Sequence, residues 1–149
     1  MRNRVRFRSE QFTPSDREPW QVSGERFGYA LATWVVACLG ERGFAIEGPV
    51  PEHWGWLLEA SRDGQMVRVG CENVEGSLTH WVISLEAPQR GGAIRRLFRR
   101  DDAASAPNVT YGIAAVIHGA LRTNPHASEI EWFRLGPGDE EIDCADTPI

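Results

Sequence analysis

The residues with chemistry to offer are spread along the chain. The four histidines are His53, His80, His118 and His126. A metal centre needs three or four converging ligands, and no histidine stands in an HxH or HExxH spacing. His53, Glu59, Glu72 and His80 share a sheet face only if their strands align in register. The reading is therefore no metal and no cofactor. No GxSxG, GxGxxG or Walker-type loop is present, and Gly91-Gly92 lacks a following Lys-Ser/Thr pair. Neither a nucleophile elbow nor a phosphate cradle is set up. No catalytic residue is assigned, and the chain reads as leaning away from an enzyme.

The sharpest binding candidate is the segment Arg95-Arg96-Leu97-Phe98-Arg99-Arg100. Guanidinium forks pair best with carboxylates, so an acidic protein surface is the partner it would suit. Phe98 would serve as the aromatic anchor. The alternative is a short amphipathic turn, with Leu97 and Phe98 docked on the core and Arg95, Arg96, Arg99 and Arg100 in water. Trp54, at the mouth of a strand, joins the partner-binding set. A second candidate is the uncovered face of the sheet, where Glu59, Arg68, Glu72 and His80 would be the polar groups for a small ligand.

The elements that position these groups follow from periodicity. Val5 and Phe7 alternate with Arg4, Arg6 and Arg8, a first strand with a solvated arginine face. Residues 9–23 read as a polar loop. Phe27, Leu31, Trp34, Val35 and Cys38 recur at helical spacing, placing an amphipathic helix over 24–41 that Ser23 caps and Gly43 stops. A strand follows at 44–47. Trp54, Trp56, Leu58 and Ala60 are expected to point one way on the next. Asp63-Gly64 and Glu75-Gly76 turn the chain into two further strands, carrying Val67, Val69 and Cys71, then Trp81, Ile83 and Leu85. Residues 87–107 read as a long connection with a short helical turn. Val109, Ile113, Val116, Ile117, Ala120 and Leu121 mark a second helix capped by Asn108 or Ser105, with His118 on its solvated flank. Ile130 and Trp132 face inward on a last strand.

The element order is β-α-β-β-β-β-α-β. It implies an α+β fold, an antiparallel sheet of five to six strands with both helices on one face. Trp56, Trp81 and Trp132 are expected in the core. Residues 1–135 form one domain, and 136–149 an acidic, flexible tail.

Several of these residues carry a likeness. Pro51-Glu52-His53-Trp54-Gly55-Trp56, Trp81, Leu97-Phe98-Arg99-Arg100, Ile117-His118-Gly119-Ala120-Leu121 and Ile130-Glu131-Trp132 together resemble a group of small, uncharacterised bacterial α+β proteins. The likeness spans about residues 25–135. It implies bacterial origin and a stand-alone fold, and carries no assigned activity. The resemblance implies an acidic residue where His53 stands here.

Composition bounds the rest. The chain has 149 residues and a net charge of −5, and all 16 basic residues are arginine. That balance argues against nonspecific nucleic-acid binding by the chain as a whole. Arginine segments at residues 2–8 and 95–100 keep nucleic acid as an alternative. No apolar run approaches the roughly 18 residues of a membrane helix. The basic N-terminus has no apolar stretch behind it and is not expected to be a signal peptide. Cys38, Cys71 and Cys144 form no CxxC pair, which favours free thiols in a reducing compartment, the cytoplasm. The expected role is noncatalytic binding of another protein, immunity-like or adaptor, with no membrane partner.

Overall fold

The computed structural model describes residues 1–14, 26–87 and 99–149, with 99–107 described by backbone alone. Among the described residues, seven strands and two helices make an α+β fold. The strands are β1 (Arg4–Ser9), β2 (Ala45–Glu52), β3 (Gly55–Arg62), β4 (Gln65–Asn73), β5 (His80–Glu86), β6 (Ala127–Leu135) and β7 (Glu141–Ala145). Helix α1 is Tyr29–Gly40 and helix α2 is Arg99–Thr123. All pairings are antiparallel, in the order β2-β3-β4-β5-β1-β6-β7.

After β1 the chain crosses through α1 to the far edge and returns as the meander β2 to β5. That brings β5 back beside β1. Helix α2 then carries the chain over to β6 on β1's other side, so β1 is a central strand. Asp63 and Gly64 both have positive φ (53° and 77°), the pattern of the two-residue turn that matches strand twist.

Both helices cover the same sheet face. Leu31, Ala32, Val35 and Leu39 of α1, and Val109, Ile113, Ala114, Ile117 and Leu121 of α2, are buried. They meet Val5, Phe7, Trp56, Leu58, Val67, Val69, Trp81, Ile83 and Trp132. Trp81 and Trp132 have no exposed surface and Trp56 has 5%, so the three expected core tryptophans are in the core. Phe12, read as part of a polar loop, is also buried. Its ring lies 5.6 Å from Trp34 and 6.0 Å from Trp81.

Several readings are corrected. Helix α1 begins at Tyr29, later than expected, with Gly28 ahead of it. Gly28 lies so close to β4 that a Cβ there would stand 2.6 Å from the Cys71 carbonyl oxygen. Ser23 lies outside the described residues. Helix α2 runs from Arg99 through Pro107 to Thr123, so Ser105 and Asn108 lie inside it and not at its start. The segment read as a flexible tail carries β7 as an edge strand on β6. Its acidic residues explain why: Asp143 takes Arg2 at 2.9 Å and Arg134 at 3.4 Å, and Glu141 takes Arg6. The arginine face of β1, read as solvated, is for the same reason engaged with carboxylates. Arg4 pairs with Glu86, Arg6 with Glu131 and Glu141, and Arg8 with Glu10.

His118 is a further correction. It is partly buried, and its Nδ1 accepts the indole N–H of Trp132 at 3.0 Å. Burial, then the neighbouring Arg122 charge, lower its pKa. The neutral ring alone can accept that hydrogen bond, since both nitrogens of imidazolium are donors. A lowered folded-state pKa means stability that is present above the unfolded value, about 6.5 for imidazole, and lost as pH falls below it through the folded value. His118→Gln retains an acceptor and removes the titration. Urea midpoints measured between about pH 7.5 and 5 are expected to fall less for the variant than for wild type. Parallel curves would show that His118 does not couple protonation to folding.

Candidate functional site

The sheet face without helices carries the charged residues, and strand register sorts them into rows. One row runs Glu47, Glu59, Arg68, Glu86 across β2 to β5. The next runs Val50, Leu57, Gly70, Ser84, Arg4, Phe133 from β2 to β6. A third begins with Glu52 opposite Gly55 on β3 and continues with Glu72 opposite Val82. Gly55 and Glu72 are close neighbours: a Cβ at Gly55 would stand 3.0 Å from the Glu72 Cβ.

Trp54 turns this face into a site. It was expected to share the direction of Trp56, but it sits in the β2–β3 turn, outside the pleat whose alternation that expectation used. Trp56 enters the core, whereas Trp54 lies on the open face over Gly70. A Cβ at Gly70 would meet the ring at 3.0 and 3.1 Å and the Ser84 hydroxyl at 2.6 Å. The missing side chain at Gly70 is what gives the indole its seat.

Beside the indole is a groove of 380 Å³ lined by Arg4, Glu52, Trp54, Leu57, Arg68, Gly70, Glu72, Ser84 and Glu86. Leu57, Gly70 and Ser84 are its floor. Arg68 and Glu86 stand on one side, and Glu52 and Glu72 on the other. Arg4 closes one end with its guanidinium on Glu86 at 2.5 Å. Burial raises the pKa of the Glu72 carboxyl, against the lowering pull of Arg26 and Arg4. Neither arginine comes within ion-pairing distance of it.

The uncovered-face candidates divide between two places. Arg68 and Glu72 line the groove. Glu59 is directly across from Arg68 on β3 but outside the lining. His80 lies in a separate hollow of 490 Å³ with Arg6, Val74, Glu129, Ile130 and Glu131. There its Nδ1 faces the Thr79 hydroxyl at 2.9 Å and the Ser77 hydroxyl at 3.3 Å, and its Nε2 is 4.0 Å from Glu129. The Ser77 oxygen also accepts the backbone N–H groups of Thr79 and His80, at 3.1 and 3.0 Å. This hydroxyl closes the β4–β5 turn and is poorly placed to serve as a nucleophile. Among the described residues no three His, Cys, Asp or Glu side chains converge as metal ligands would.

Of the arginine-segment candidates, Arg95, Arg96 and Phe98 lie outside the described residues. Arg99 and Arg100 open the helical backbone of α2, with their side chains outside the description. Sequence reading missed Arg4, Glu52, Leu57, Gly70, Ser84 and Glu86. Leu57, Gly70, Ser84 and Glu86 share the strand parity of residues it chose, so period-2 counting could have found them. Glu52 could be added only by knowing how the β2–β3 turn folds.

Comparison with protein families, curated proteins and solved structures finds no match to this chain. Among the described residues no helix is long and apolar enough to cross a membrane.

Proposed function

We propose that this chain is a noncatalytic binding domain that takes another protein on the uncovered face of its sheet, in an immunity-like or adaptor role in a bacterial cytoplasm. The observation that carries the reading is the groove beside Trp54. A rigid aromatic next to a small cavity, ringed by charges of both signs, has the make-up of an interface anchor. The face is also poorly suited to nucleic acid along β1 and the residues just ahead of it. There the guanidinium groups of Arg2, Arg4, Arg6 and Arg8 already hold carboxylates, and a phosphate would have to displace them. A small-ligand reading keeps second place, because 380 Å³ falls within the roughly 300–1,000 Å³ of ligand pockets.

The test places a photo-crosslinking residue at Leu57 on the groove floor and irradiates the protein in lysate of its source cell. A discrete protein adduct is expected. Capture of the same protein by Trp54→Ala is expected to fall about 30-fold, as for truncation of an anchor worth roughly 2 kcal/mol. Absence of any protein adduct, or equal capture by wild type and Trp54→Ala, would overturn the reading.

A further inference from the structure

We propose that the groove receives a basic side chain of the partner protein, an arginine guanidinium held between Glu52 and Glu72 beside the Trp54 ring. This rests on the reading of the uncovered face as a protein-binding surface.

The argument is one of charge placement. The groove is lined by two guanidinium groups and three carboxylates. Arg4 and Glu86 neutralise each other by direct contact. Arg68, without an ion pair among the described residues, stands in a row between Glu59 and Glu86, across the groove floor from the other two carboxylates. Glu52 and Glu72 are left over. Among the described residues neither has an ion pair or a side-chain hydrogen bond. Between them is Gly55, which has no side chain to fill the gap. Two strand spacings, roughly 9–10 Å, separate the backbones that carry them. Carboxylates reaching in from both sides leave room for one planar cation, and the nearby indole offers a face on which a guanidinium stacks well.

Glu72 also bears the cost of having no partner. Burial works against its charge more strongly than Arg26 and Arg4 support it. A cation arriving in the groove would supply the missing contact at a position already arranged to accept it. On a larger scale, the net charge is −5 and the arginines of β1 are internally paired. The long-range field therefore favours a basic partner and raises its association rate.

The experiment titrates the full chain, labelled with nitrogen-15, with N-acetyl-arginine N-methylamide. The readouts are the Trp54 indole N–H, assigned through Trp54→Phe, and the Gly70 amide. Saturable movement of both signals is expected, with a dissociation constant on the order of a millimolar, a range open to a single side chain. Glu72→Gln and Glu52→Gln are each expected to weaken it about tenfold, the loss of one charge-assisted contact. Both residues are on the open face, and unchanged core indole signals verify the fold of each variant. The equivalent blocked citrulline, neutral and nearly the same shape, should not saturate. Equal response to citrulline, saturation by blocked glutamate, or no movement with blocked arginine would each overturn the proposal. If blocked arginine fails while Trp54→Ala still loses the cross-linked partner, the basic occupant falls and the protein-binding reading stands.

Discussion

Trp81→Ala is expected to lower the stability of the fold by about 3–5 kcal/mol, the range for deleting a fully buried large aromatic. The position concentrates several sources of that loss. Trp81 has no exposed surface and is among the largest fully buried side chains. It lies on β5, next to the central strand β1, so the cavity would open in the middle of the sheet. Its ring stands 6.0 Å from Phe12 at 84°, an edge-to-face contact that locks the loop after β1 onto the core. Its Nε1–H donates to the Ser9 carbonyl at 3.0 Å, and truncation would strand that acceptor. At roughly 2–4 °C per kcal/mol for a chain of this size, the thermal midpoint should drop by about 6–20 °C. Trp81→Phe is the milder change. It keeps a six-membered ring but loses the donor and part of the indole volume, at an expected cost of about 1–3 kcal/mol. Trp54→Ala is the contrasting case, since that indole is only partly buried. Thermal unfolding of the three variants side by side checks the order. A Trp81→Ala midpoint within 1–2 °C of wild type would mean that the packing around Trp81 contributes far less than such burial usually does.

Much of the fold was legible because two periods dominate the sequence. Alternation of Val5 and Phe7 with arginines, of Leu58 and Ala60 with Leu57 and Glu59, and of Trp81, Ile83 and Leu85 with their polar neighbours marks half-covered antiparallel strands. The helical spacing of Ile113, Ile117 and Leu121 marks a covering helix. The misreadings arise where a long-range partner outweighs local pattern. Nothing in Glu141-Ile142-Asp143-Cys144-Ala145 reads as a strand until the arginines of β1 and β6 are known to wait for its carboxylates. Phe12 reads as loop until the Phe7–Trp34–Trp81 pocket exists to hold it. His118 reads as solvated until Trp132 arrives from β6 with an indole N–H. Each partner is distant in sequence, so no window of ten or fifteen residues contains the cause.

The site was half legible for a related reason. Parity along β4 put Arg68 and Glu72 on the open face, and the structure keeps them together in one groove. Parity could not place Trp54. A turn residue obeys no alternation, and its direction depends on the space available across two strands. That space is created by Gly70, which a sequence reader sees as a weak spot in a strand rather than as the seat of an aromatic ring.

Gly70 therefore supplies the most discriminating test of the site. Gly70→Val adds a side chain that strands favour, at a position whose backbone needs no left-handed conformation, so local propensity should if anything improve. Sterics oppose it. The first added carbon would already stand 2.6 Å from the Ser84 hydroxyl and 3.0 Å from the Trp54 ring. Ser84 can rotate, but two carbons of the indole stand 3.0 and 3.1 Å from that spot, and the ring must move away. The expected result is a folded protein destabilised by about 1–3 kcal/mol, the usual range for overpacking. Its capture of the partner should fall about 30-fold, matching Trp54→Ala, because an evicted anchor is worth no more than a deleted one. Gly70→Ala, with one carbon fewer, should lie between. The double variant Trp54→Ala with Gly70→Val should capture no less than either single variant, since both changes remove the same contact. Parallel measurements of capture and thermal midpoint give the answer. Full capture by Gly70→Val, with the Trp54 indole signal moved to a solvent-exposed position, would show that the ring's seat does not matter to binding. The partner would then have to be sought on another surface of the domain.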